Sequence, residues 1–277
     1  MRKWTVEEET ILINNVADMM ASEILKLLPN KTLQQLRNKM YKNGIKISQE
    51  TYSRVRRVYN LNEEFFRTQT QNMAYILGLW WSDGSIAPSH TGHLNEFNIT
   101  LKDEEELLIK VRNEMGANIP LKIHKKTGSF VLKLFSRKIC QDLITLGGCQ
   151  NKSKNLDWPK IDNEFVPAFI RGYFDGDGCI YYKQNRWLGT TFSCGDRSFL
   201  DTLYQKLKSI DTTIEGGWLS NQNASNQTVL NSNWSTLGFA EKDSIKLAKI
   251  IYGENTGNLY MKRKYEKFVE IYSSKFN

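Results

Sequence analysis

The chain contains a second copy of part of itself. Residues 73–86 read MAYILGLWWSDGSI and residues 167–180 read PAFIRGYFDGDGCI, so that Gly78 aligns with Gly172, Ser82 with Gly176, Asp83 with Asp177 and Gly84 with Gly178. In both copies an apolar helical run ends on Asp-Gly. The flanks agree as well. After the first motif come EFNITLK, with Phe97, Ile99 and Leu101 alternating at strand period, helical DEEELLIKVRNEMG, strand-like LKIHKK and GSFVLKLFS, and helical RKICQDLITLGG. After the second come CIYYK, a turn at Gln184-Asn185, RWLGTTFSC, helical RSFLDTLYQKLKSI, strand-like GGWLSNQ and QTVLNSNWST, and helical KDSIKLAKIIYG. The pattern predicts an α+β fold of two αββαββα halves, at 65–158 and 159–277.

Two correctly spaced motifs with matching flanks make the chain resemble the LAGLIDADG homing endonucleases, in their monomeric two-motif form, over about 210 residues. The resemblance implies pseudosymmetric halves joined along their motif helices, each placing a saddle-shaped antiparallel sheet in a DNA major groove. The residue types suit that role. Gly78 with Ser82, and Gly172 with Gly176, lie one turn apart on one helix face, where small side chains let two helices approach closely. The acid at the eighth motif position then brings Asp83 and Asp177 together although 94 positions separate them. Two such carboxylates repel, and both are expected to stay ionised at neutral pH only if a divalent cation lies between them. The implied ligand set is Asp83 and Asp177 with Ser82 and Gly176, for Mg²⁺, with Mn²⁺ as a substitute.

The family also places basic residues near the scissile phosphates, which here points to the matched pair Lys152 and Lys262 as catalytic partners of Asp83 and Asp177. Two departures stand out. The sixth motif position is Trp81 in one copy and Asp175 in the other, with Trp80 beside the first. Asp175 is expected to be a cap or a hydrogen-bonding structural residue, and the tryptophans to be core, at some cost to tight helix packing. Reading of base edges should fall to strand residues opposite the apolar alternation: Asn98, Thr100, Lys122, Lys183, Arg186 and Thr191, with Lys102, His124, Lys126, Tyr181, Asn221 and Asn231 beside them.

The net charge is +8, and residues 20–58 hold nine basic side chains against Glu23 and Glu50. Such a run is either a solvated surface or an electrostatic footprint for nucleic acid. Capping-box spacing at Thr5–Glu8 predicts a helix over about 6–18; a second fits Ser22 to Leu28, and a third starts at Thr32 and ends before Asn43-Gly44. The third shows Gln34, Gln35, Arg37, Asn38, Tyr41 and Lys42 to solvent, the chemistry of a recognition helix. The segment from Trp4 to Met40 is also similar to Myb or SANT-type modules, with Trp4 at the opening core tryptophan, although such modules bind proteins too. The expected organisation is a helix-turn-helix domain at 1–48, a basic linker at 49–64 whose Arg54, Arg56 and Arg57 suit phosphate contacts, and the two halves.

Other classes are excluded or disfavoured. No run approaches the roughly 18 apolar residues of a membrane span, and MRKWTVEEE lacks the apolar core of a secretory signal, which predicts a cytoplasmic protein. Four cysteines without CxxC spacing and three histidines do not make a zinc site. The expectation is a monomeric, Mg²⁺-dependent, site-specific endonuclease for double-stranded DNA, of the kind carried by mobile introns. The alternatives are a non-cleaving regulator or intron maturase on the same scaffold, and a strand-specific nickase.

Overall fold

Two reciprocal capping boxes start the longer helices of the N-terminal unit. Thr5 Oγ1 accepts from Glu8 N while Glu8 returns to Thr5 N, opening α1 (Val6–Asn15). Thr32 and Gln35 do the same for α3 (Leu33–Lys42). Between them α2 (Ala21–Ile24) tightens into a 3-10 turn over Leu25–Leu27, so the expected helix from Ser22 to Leu28 is present in two geometries. Leu12, Ile24, Leu28, Leu36 and Met40 form the core, with Trp4, Ile11 and Val16 packed against it. Two of the basic residues turn inward. Buried Lys31 pairs with Glu8 at 2.9 Å and lies 5.0 Å from the Trp4 ring, and Lys39 bonds Glu9, so the outward positive surface is smaller than the charge count suggests.

The structure, a computed structural model, describes residues 4–48, 51, 59–88, 92–152, 155–183, 187–222, 234–253 and 257–276. It divides into two units, Met1–Asn60 and Leu61–Asn277. Arg54, Arg56, Arg57, Gln184, Arg186 and Asn231 lie outside the described residues, as do the side chains of Lys183 and Asn221. No helix among the described residues is long and apolar enough to cross a membrane.

The second unit repeats one element order. The first half runs α4 (Gln71–Asp83), β1 (Gly84–Pro88), β2 (Leu94–Leu101), α5 (Glu105–Glu114), β3 (Lys122–Ile123), β4 (Phe130–Phe135) and α6 (Arg137–Thr145). The other runs α7 (Val166–Asp177), β5 (Gly178–Lys183), β6 (Trp187–Cys194), α8 (Arg197–Ile210), β7 (Trp218–Gln222), β8 (Trp234–Ala240) and α9 (Glu241–Tyr252). A further helix, α10 (Lys262–Phe276), extends the second half beyond the repeat. Each sheet is antiparallel, in the orders β1-β2-β4-β3 and β5-β6-β8-β7. The apolar alternation sets which face is covered: Phe97 opposite Leu134 and Ile99 opposite Leu132 are buried, while Asn98 opposite Lys133 and Thr100 opposite Val131 point the other way. The fold is the expected α+β class with two αββαββα halves.

Candidate active site

The site is built where α4 and α7 pack together, the most extensive contact between elements among the described residues. Glycine sets how close they come. A Cβ on Gly78 would stand 2.0 Å from Phe169 O, and one on Gly172 would stand 2.0 Å from Tyr75 O, so backbone touches backbone on both sides. The expected cost of the tryptophans does not arise. Trp80 and Trp81 are buried, their indole N–H groups donate to Ser85 O and Asp157 O, and Trp81 packs edge-on against Phe169 of α7 at 5.9 Å. They flank the contact instead of entering it.

Both helices end on their motif acid, and the backbone then turns directly into β1 or β5. Asp83 reaches across to the second motif, since a Cβ on Gly176 would lie 2.4 Å from Asp83 Oδ2. Both carboxylates are half-buried. Burial raises Asp177 to about 6, and the Asp83 charge adds to the shift, while Lys152 and Lys264 oppose it. Burial also raises Asp83, with Lys152, Lys264 and a Ser82 hydrogen bond pulling it down.

Those two lysines hold equivalent positions. Lys152 Nζ donates to Trp81 O at 2.7 Å and Ser82 O at 2.9 Å; Lys264 Nζ donates to Phe174 O and Asp175 O at 2.7 Å, Gly176 O at 3.3 Å and Gly178 O at 2.6 Å. Each ammonium therefore sits on carbonyls at the end of a motif helix, where the helix dipole is negative. Burial lowers each lysine to about 8, which leaves both mainly charged at pH 7. Two expectations are corrected. Lys262 is not the mate of Lys152: its side chain is 70% exposed and faces Glu266, and Lys264, two residues on, takes the buried place. A divalent cation is also not the sole source of positive charge beside the two acids: Lys152 and Lys264 already oppose the rise that burial causes in both.

The donor set fits a hard divalent cation. Asp83 and Asp177 offer carboxylate oxygens, and the Ser82 and Gly176 carbonyls each keep a lone pair beyond the lysine bond. Among the described residues no cluster of three or more His, Cys, Asp or Glu would hold a metal, so the rest of a coordination shell falls to water and substrate oxygens, as Mg²⁺ prefers. Asp175, in contrast, turns away from the acids and is wholly occupied in structural hydrogen bonds, as expected, with Tyr75, Tyr252 and the Met261 amide.

The sheet faces differ between the halves. Asn98, Thr100 and Lys122 line a groove of about 580 Å³ on the outer face of the first sheet, together with His124, Lys126 and Lys133. There Glu96 bridges Asn98 Nδ2 at 2.9 Å and Lys133 Nζ at 2.7 Å. Thr191 departs from expectation: its strand phase points it outward, yet it is only 7% exposed. Its cross-strand neighbour is Gly238, and the ring of Trp218 lies over Gly238 in the space a side chain would fill. Among the described residues, Cys179, Tyr181 and Trp218 are exposed on that face. On α3, Arg37, Asn38 and Lys42 are exposed and Gln34 bonds Asn38, while Gln35 is engaged as the capping partner of Thr32.

Among curated protein sequences nothing matches the chain. Several solved structures are similar to it. I-DmoI in complex with DNA and Mn is 16% identical, over 65% of this chain and 96% of that one, with a TM-score of 0.46. I-SmaMI bound to uncleaveable DNA is 11% identical, over 72% and 89%, with a TM-score of 0.49. Full-length DUF199/WhiA from Thermatoga maritima is 13% identical, over 78% and 66%, with a TM-score of 0.44. Residues 164–242 match the model of the LAGLIDADG-like domain. That match lies in the second half, and the half before it repeats the same element order and sheet order.

Proposed function

We propose that the chain is a site-specific endonuclease that hydrolyses both strands of double-stranded DNA with Mg²⁺ or Mn²⁺, acting as a cytoplasmic monomer. The observation that carries this reading is the twofold-repeated group of one acid and one buried lysine at the ends of the two motif helices, Asp83 with Lys152 and Asp177 with Lys264. Asp83 and Asp177, with the carbonyls of Ser82 and Gly176, hold the cations. Bound divalent cations supply Lewis-acid stabilisation of the reacting phosphate and a lowered pKa for water. The lysines hold the helix ends that carry the acids, and their charge offsets the negative charge gained in the transition state. Residues 65–158 and 159–277 each serve one strand, 1–48 is a further DNA-binding domain, and 49–64 links them.

A plasmid library carrying randomised sites tests the reading. Incubated with Mg²⁺, it should yield linear products that share one junction. Binding without a nick would instead favour the non-cleaving regulator or maturase.

The footprint on α3 has its own signature. Arg37→Ala and Lys42→Ala should each weaken DNA binding. Removing a side chain that binds phosphate lowers the salt slope by about one charge, whereas removing one that binds a base edge costs about 1–3 kcal/mol and relaxes preference at one base pair. Binding isotherms at several salt concentrations separate the two, and unchanged affinity in both variants would remove α3 from the interface.

The acids predict a pH dependence. Asp177, raised to about 6, favours its protonated form in the fold. Its contribution to stability is therefore present below the ordinary carboxylate range and is lost as pH rises through about 6. Melting in chelator should show the wild type losing roughly 1–3 kcal/mol relative to Asp177→Asn between pH 4.5 and 7.5. Added Mg²⁺ should reverse that loss at pH 7.5 and do little at pH 4.5.

A further inference from the structure

The sixth motif position breaks the repeat. In the first half Trp81 fills it with a ring and one N–H, so a motif helix of this fold does not need a carboxylate there. Burying one is costly. Asp175 is nevertheless fully buried, and three donors converge on it: Tyr75 Oη at 2.8 Å, Tyr252 Oη and Met261 N at 2.7 Å. One turn earlier, Arg171 donates to Ile251 O at 3.0 Å and to Leu259 O at 3.1 Å. The bonds to Ile251, Tyr252, Leu259 and Met261 tie α7 to the end of α9 and to the residues that lead into α10.

The Met261 bond has a specific consequence. Met261 O opens α10, accepting from Lys264 N at 3.0 Å and Tyr265 N at 3.1 Å. One turn into that helix, Lys264 Nζ returns to α7, 2.7 Å from the carbonyl of Asp175 itself. The carboxylate of Asp175 thus holds the amide where α10 begins, and its carbonyl receives the ammonium that α10 delivers. We propose that Asp175 is a positioning residue that sets Lys264 against the end of α7, where its charge acts on both motif acids, and that its loss impairs one of the two strand-cutting centres and spares the other. The strand-specific consequence rests on the nuclease reading; the positioning itself does not.

Asp175→Asn keeps the size of the side chain but replaces the charged acceptor of Tyr75 and Met261 by a neutral one and puts an N–H₂ in place of one accepting oxygen. The test compares acylation of Lys264 with acylation of Lys152 in the same full-length protein, read by mass spectrometry. Lys264 should become roughly tenfold more reactive relative to Lys152. Tyr75→Phe removes a donor and leaves the Met261 bond, so it should lower stability without moving that ratio. Met261→Pro removes the N–H held by Asp175 together with the buried Met261 side chain, and should raise the ratio even if Asp175→Asn fails to fold. An unchanged ratio, an equal rise at both lysines, or the same rise in Tyr75→Phe would overturn the proposal.

With a cleavable plasmid, Asp175→Asn should also accumulate nicked circles, as Lys264→Met should. The double variant should add nothing to either. Equal slowing of both strands would overturn the strand-specific part. If the wild type cuts no DNA the nuclease reading falls, and the labelling ratio still decides the role of Asp175.

Discussion

Changing Asp83 or Asp177 to Asn is expected to abolish DNA cleavage, by at least about a thousandfold, while binding persists. A factor of that size corresponds to roughly 4 kcal/mol of transition-state stabilisation, the scale expected when a site loses an anionic ligand for a divalent cation. Asn keeps the shape of the side chain, so the two sheets are undisturbed. The same substitutions should stabilise the cation-free protein at pH 7, because each acid is held in its charged form against burial, and Asp177 also against the charge of Asp83. Loss of activity with a gain in melting temperature is the mark of a site whose strain serves function. Undiminished cutting by both variants would remove the acids from the mechanism. A lower melting temperature in chelator would show that the carboxylates stabilise the fold.

The second large effect lies where the two motif helices meet. Gly78→Ala would ordinarily gain up to about 1 kcal/mol from helix propensity. Its Cβ, however, would meet Phe169 O at 2.0 Å and Tyr173 N at 2.8 Å, both of them backbone atoms that cannot swing aside. The helices would have to separate by more than an ångström, loosening their packing along its length. Overpacking a rigid core costs about 1–3 kcal/mol and sometimes more, and a backbone clash belongs at the upper end. A fall in melting temperature of roughly 5–10 °C is expected, and cleavage should be lost because the acids move apart. Gly172→Ala should do the same through Tyr75 O, and the pair should be less than additive because both clashes are relieved by one displacement. A melting temperature within a degree of wild type would mean the helices do not pack as closely as described.

Much of this fold was legible in the chain because it is written twice. The repeat of Gly78–Gly84 at Gly172–Gly178 predicted two helices in close contact with an acid at each end, and period-two alternation through Phe97, Ile99 and Leu101 predicted which strand face is covered. Those features depend on local spacing, which a sequence displays directly. The lysines were less accessible. Lys262, Arg263 and Lys264 are consecutive in a helix and point about 100° apart. Which of them faces the acids depends on how α10 docks, and Asp175 and Arg171, nearly ninety residues away, set that docking. A helical-phase argument anchored on buried Met261 and Phe268 would have selected Lys264, had the direction of the core been known.

Thr191 shows a similar limit. Its strand phase was read correctly, but its burial depends on Gly238 across the sheet leaving room for the ring of Trp218. The charge count met the same difficulty, since Lys31 reads as surface until Glu8 and Trp4 fold over it. By itself the sequence determined the class of fold, the element order and the pairing of Asp83 with Asp177, because each follows from residue spacing and duplication. The tertiary structure decided which lysine sits at the end of each motif helix, what positive charge offsets the buried carboxylates, and which outward residues are covered. Each of these depends on burial and on charges brought together from distant parts of the chain.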